Sequence, residues 1–96
     1  MAANIYISQL LDRYGIILSE KQYRILDGYY NNDLSLSEIA ENEGITRQGA
    51  GDFVKRGEVR LLELEEKLGI CKTYSALKTA AEKGDTQKIL EIIDKL

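Results

Sequence analysis

A chain of 96 residues with one cysteine, no histidine and a net charge of -3 is near the size at which a core can form without disulfides or metal. With no partner thiol for Cys71 and no histidine anywhere, an intramolecular disulfide, a histidine-ligated metal site and histidine-based acid/base catalysis are all excluded. The acidic total counts against a surface that seeks phosphate everywhere, yet leaves room for a local basic stripe. Proline is absent and no strand-like alternation persists, while Leu, Ile, Ala, Glu and Lys recur at helical spacing. The expectation is an all-α chain forming one compact helical domain over residues 1–96.

The first helix is expected from Ala3 to Tyr14, with Ile5, Tyr6, Leu10, Leu11 and Tyr14 on one side and Gly15 ending it. Gln9, Asp12 and Arg13 interrupt this apolar stretch, which therefore reads neither as a membrane span nor as a secretory signal. A cytoplasmic location is expected. Ser19 and Gln22 have the spacing of a capping box, and Tyr23, Leu26, Tyr29 and Tyr30 follow at helical spacing up to the polar cluster Asn31-Asn32-Asp33. These tyrosines read as amphipathic core residues with hydroxyls at the rim; stacking on nucleic-acid bases is the alternative.

A second capping box, Ser35 and Glu38, predicts a short helix from Leu36, and Gly44 supplies the left-handed end. Thr46 then caps a helix beginning at Arg47. Ile39, Ala40, Ile45, Ala50 and Phe53 form the wedge between the two helices, the pattern of a helix-turn-helix at about residues 35–56. The second helix continues through Val54, Gly57, Leu61, Leu64 and Leu68 as an amphipathic rod capped by Gly69. After a connection at Ile70-Cys71-Lys72, a helix from Thr73 to Lys83 should turn Tyr74, Leu77, Ala80 and Ala81 inward. Gly84 ends it and Asp85 caps a last helix, whose Ile89, Leu90, Ile92, Ile93 and Leu96 are suited to closing the core. Cys71 reads as a small apolar filler. The apolar rod and the last helix together offer more apolar surface than a small domain hides, which predicts a homodimer.

With Ala50 and Phe53 inward, Gln48, Asp52, Lys55 and Val59 point outward, flanked by Gly51 and Arg56. The candidate nucleic-acid-binding residues are Thr46, Arg47, Gln48, Lys55, Arg56 and Arg60. Gln48 can pair with adenine edges and Arg47 with guanine, while Lys55, Arg56 and Arg60 can neutralise phosphates. Asp52 opposes this reading unless it accepts from a cytosine amine, and Gly49 and Gly51 each cost roughly 1 kcal/mol against alanine in a helix. A solvated helix face is the alternative. Nothing assembles a nucleophile, a base and an oxyanion site, so binding without a cofactor is expected rather than catalysis.

The runs Leu18-Ser19-Glu20-Lys21-Gln22, Tyr29 through Ala40, Gly44-Ile45-Thr46-Arg47-Gln48 and Asp52 through Arg56 resemble the YlxM-like bacterial proteins over nearly the whole chain. The resemblance implies a domain similar to region 4 of sigma factors, which recognises promoter elements. It also implies a regulatory role and an association with the signal recognition particle (SRP) pathway. Thr46, Arg47, Gln48, Lys55 and Arg56 match the recognition-helix positions. The expected function is thus a regulatory protein that binds DNA or structured RNA in that pathway. The alternative is an interaction module using the helix-turn-helix as scaffold, with the SRP GTPase or another protein as partner.

Overall fold

A computed structural model describes residues 4–96, so the expected helix start at Ala3 lies outside the described residues. The described chain is helical, with no strand: α1 (Ile5–Tyr14), a 3-10 turn (Gly15–Ile17), α2 (Glu20–Tyr30), α3 (Leu36–Glu43), α4 (Arg47–Leu68), α5 (Ile70–Glu82) and α6 (Thr86–Asp94). No helix among the described residues is long and apolar enough to cross a membrane. The caps read from sequence form as local chemistry dictates. Ser35 Oγ accepts from the Glu38 amide at 3.0 Å and Glu38 Oε1 accepts from the Ser35 amide at 2.9 Å, completing the capping box. Gly44 takes the left-handed conformation at φ 67°, which lets the Ile45 amide turn back to the Ala40 carbonyl.

The long helix α4 is the spine, with α1, α2, α3 and α5 all packed against it. Its inward stripe of Ala50, Val54, Gly57, Leu61 and Leu64 is buried, as the periodicity predicts, whereas Leu68 is exposed. Ile39, Ala40 and Ala50 are buried at the α3/α4 wedge; Ile45 and Phe53 are half-buried at its edge. On α1 the buried set is Ile7, Leu10, Leu11 and Tyr14, while Ile5 and Tyr6 face solvent. The expected face is therefore rotated, because α1 presses Ile7 and not its two first residues toward α2 and α4. On α2 the buried residues are Ile25, Leu26 and Gly28; Tyr29 and Tyr30 are half-buried and Tyr23 is exposed.

One glycine decides how closely α2 and α4 meet. A Cβ at Gly57 would lie 2.5 Å from Leu26 Cδ1 and 2.8 Å from Gln22 Nε2, so α2 crosses α4 where α4 has no side chain. That approach explains why Gln22 does not complete a capping box with Ser19. Ser19 Oγ accepts from the Gln22 amide, but the Gln22 side chain reaches across to donate to the Phe53 carbonyl at 2.8 Å.

At the other end of α4 the expected loop Ile70-Cys71-Lys72 is absent. Gly69, left-handed at φ 62°, ends α4 and α5 resumes at once at Ile70. No side chain at Gly69 can cap α5, and Glu65 does so from the preceding helix: its carboxylate accepts from the Cys71 and Lys72 amides, each at 3.0 Å. The buried Tyr14 hydroxyl donates to the same carboxylate at 2.5 Å and accepts from the Ile70 amide at 3.0 Å.

The expected inward set of α5 is largely not inward. Ala80 is buried and Leu77 half-buried, but Tyr74 and Ala81 are exposed, and the Arg13 guanidinium lies 4.2 Å from the Tyr74 ring centroid. The last helix does not close the core. It packs chiefly on α5 and buries no residue, because α5 carries it away from α1–α4.

Overpacking at the α2/α4 crossing should make Gly57→Ala lose about 1 to 3 kcal/mol, more than the ~1 kcal/mol gained in helix propensity. Gly51→Ala, whose Cβ would meet Leu36 Cδ1 at an ordinary 3.6 Å, should instead gain up to about 1 kcal/mol. Urea denaturation of the two variants checks this, and a gain at both positions would mean that Gly57 does not set the crossing.

Candidate nucleic-acid interface

The start of α4 is fixed by its cap. Thr46 Oγ1 accepts from the Gly49 amide at 2.9 Å, and a Cβ at Gly49 would come to 3.1 Å from that oxygen. The Thr46 hydroxyl keeps its proton to donate outward. The amides of Arg47 and Gln48 lie in the first turn, where the helix dipole and unpaired N–H groups favour an anion. Thr46, Arg47 and Gln48 are all exposed.

The six expected residues do not form one stripe. At about 100° per residue, Gln48, Asp52, Lys55 and Val59 share the outward line of α4. Arg56 and Arg60 fall on the flank that carries Phe53, and Arg47 falls on the opposite flank at the helix start. All four cations are exposed. Among the described residues the one ion pair is Arg24 with Glu43, so Arg47, Lys55, Arg56 and Arg60 are not held by carboxylates.

One residue absent from the expected set joins the flank. Lys21 Nζ and the Arg56 guanidinium each lie 5.0 Å from the Phe53 ring centroid, so a lysine of α2 and an arginine of α4 share one aromatic face. No local spacing signals this pair, since the two are 35 positions apart and meet only through the α2/α4 crossing.

Acidic residues surround the cations, and several are occupied. Glu43 receives two hydrogen bonds from Arg24, each at 2.7 Å, and the Arg24 guanidinium holds its carboxyl below the usual value. The Ser35 amide and hydroxyl hold Glu38 low in the same way. Glu58 accepts from the Tyr30 hydroxyl, whose pKa is raised by burial and then by that hydrogen bond. Asp52 remains exposed in the middle of the outward line.

A family described as "Putative helix-turn-helix protein, YlxM / p13 like" matches residues 1–95. The chain belongs to this family, UPF0122. A UPF0122 protein of Acetivibrio thermocellus is 50% identical over 72 residues, which cover 75% of this chain and 62% of the relative. One of Clostridium kluyveri is 49% identical over 70 residues, covering 73% and 63%, and one of Fusobacterium nucleatum is 40% identical over 94 residues, covering 91% of each. The matched region thus spans less than two thirds of the length of the first two relatives. In this member of UPF0122 the helix-turn-helix is α3, the Gly44-Ile45 turn and α4.

The carboxylates that anchor these helices give the stability a defined pH dependence. Burial raises the Glu65 pKa, but its bonds from Tyr14, Cys71 and Lys72 outweigh burial and leave it lowered, as Glu38 and Glu43 are. A carboxylate lowered on folding contributes stability that is fully present above its unfolded value and is lost as pH falls through the folded one. The melting temperature should therefore hold down to about pH 5 and drop below the ordinary carboxylate value of 4.5. Thermal melts across that range by circular dichroism check it, and an unchanged midpoint at about pH 3 would contradict it.

Proposed function

We propose that this protein is a regulatory nucleic-acid-binding protein and that the amino-terminal half of α4 makes the contact. The observation that carries the reading is the set of exposed cations, free of ion pairs among the described residues, around the capped start of a helix-turn-helix second helix. In such a docking the outward line enters the groove, with Gln48 against base edges and Arg47 at the entry. Thr46 donates to a phosphate beside the first-turn amides. Lys55 meets a phosphate from the outward line, and Arg56 and Lys21 meet phosphates on the flank that carries Phe53. Arg60 lies about 20 Å along the helix from Arg47, beyond the ~12 Å width of a major groove, so it serves the backbone and not the bases. The resemblance to YlxM-like proteins supports a place in the SRP pathway, and DNA and structured RNA both supply the phosphates this surface fits.

Asp52 favours a second reading. A carboxylate in the middle of the face repels phosphate but suits a cation on a protein, which is the arrangement of an interaction module bound to the SRP GTPase or another partner. The same variants separate the two. Reversing Lys55 and Arg56 together should weaken nucleic-acid binding across sequences and lower its salt slope by about 2, one for each phosphate no longer neutralised, and Gln48→Ala should mainly relax base preference. Asp52→Asn should strengthen non-specific binding several-fold. Fluorescence anisotropy over a salt series measures all three. Binding unchanged by the double reversal, together with loss of a complex with the GTPase in Asp52→Asn, would transfer the face to the protein partner.

A further inference from the structure

The geometry points to the α5/α6 hairpin as a self-association surface, covered by the same hairpin of a second copy of this chain. The two helices together bury one residue, Ala80. On α6 and just beyond it Leu90, Ile93 and Leu96 are between 48% and 80% exposed, and on α5 Ile70 and Tyr74, the latter beside Arg13 of α1, are about half exposed. At nine residues, α6 is shorter than the roughly 12 to 15 that even good helix formers need to hold a helix in water. Its order must come from packing, yet α5 covers only the side that carries the half-buried Ile89 and Ile92.

The size of the molecule gives the area. A monomer of 10.8 kDa should expose about 5,500 Å², whereas this chain exposes 6660 Å², about 1,100 Å² more. A stable interface takes about 800 Å² from each partner, so the excess is of the size that one copy contributes to a dimer. The shape places that excess on the hairpin. The radius of gyration is 16.4 Å against about 12.5 Å for a compact chain of this length, and the extents are 52 × 22 × 16 Å.

Charge selects the occupant. From residue 70 to residue 96 five lysines and four carboxylates are interspersed, so this surface offers no single-sign field to a nucleic acid or a strongly charged protein. A mixed, nearly neutral rim around an apolar strip is complementary to itself, as a two-fold contact requires. Among the other exposed apolar residues, Ile16 and Ile17 on the connector after α1 lie beside Asp12 and Glu20. Two copies of that patch would bring like charges together.

Sedimentation equilibrium from about 1 to 100 μM without nucleic acid tests the inference, in the concentration range of weak to moderate self-association. The wild type should weigh twice 10.8 kDa at the upper end. Leu90→Glu with Ile93→Glu should raise the dimer dissociation constant at least about 100-fold, the effect of two charges in an apolar contact. The milder Ile93→Ser should raise it about tenfold, with far-UV circular dichroism unchanged at concentrations where both proteins are dimeric. Ile16→Glu should leave it unaltered. A monomeric wild type at every concentration, or a dimer indifferent to the α6 variants or dissociated by Ile16→Glu, would overturn the inference.

Discussion

The packing of the helices around the candidate residues depends on one missing Cβ. At Gly57 the α4 surface is low enough for Leu26 to lie in the crossing and for Gln22 to reach the Phe53 carbonyl. The crossing fixes α2 against α4, and α3 is held in turn by the wedge of Ile39, Ala40 and Ala50. Lys21 comes to rest on Phe53 because Gln22, its neighbour, is anchored there. A glycine that lowers helix propensity by about 1 kcal/mol is thus what lets a two-helix motif become part of a four-helix body.

A second constraint sits at the far end of α4. The reversal at Gly69 leaves the first amides of α5 without a capping side chain, and Glu65 supplies one from a full turn earlier while Tyr14 ties the corner to α1. The bonds to the Glu65 carboxylate are charge-assisted, and those at Tyr14, Ile70 and Cys71 are part-buried, which sets the elbow direction rigidly. Rigid here means that the hairpin is carried outward with its apolar side uncovered. The same spine therefore presents a basic, polar start at Arg47 and an apolar extension beyond Gly69, and the two surfaces are separated along its length.

Caps are the most legible part of the sequence. Ser19, Ser35, Gly44, Thr46, Gly69 and Asp85 each terminate or start a helix through bonds within a few residues, so local spacing contains the information. Faces are less legible where several apolar residues are adjacent. Ile5, Tyr6 and Ile7 are consecutive, and periodicity alone cannot rank them; the neighbours of α1 choose Ile7. The last helix departs from expectation for a related reason. A broad apolar face records that something covers it, and the sequence cannot state that the core is already full. In the candidate interface the residues on α4 itself are readable, but Lys21 and the Gln22 anchor belong to an inter-helix contact. The Asp52 carboxylate is readable as well, and its position on the outward line is what keeps two readings of the face in competition.

The nucleic-acid face is tested most directly by a nuclear magnetic resonance titration of the ¹⁵N-labelled protein with a mixed-sequence DNA duplex at low salt, repeated with an RNA hairpin. The largest amide shifts should fall on Thr46, Arg47, Gln48, Asp52, Lys55 and Arg56, with Lys21 shifting beside them and α6 unmoved. Shifts confined to α5 and α6, or none in the first three turns of α4 with either nucleic acid, would contradict a groove-facing α4.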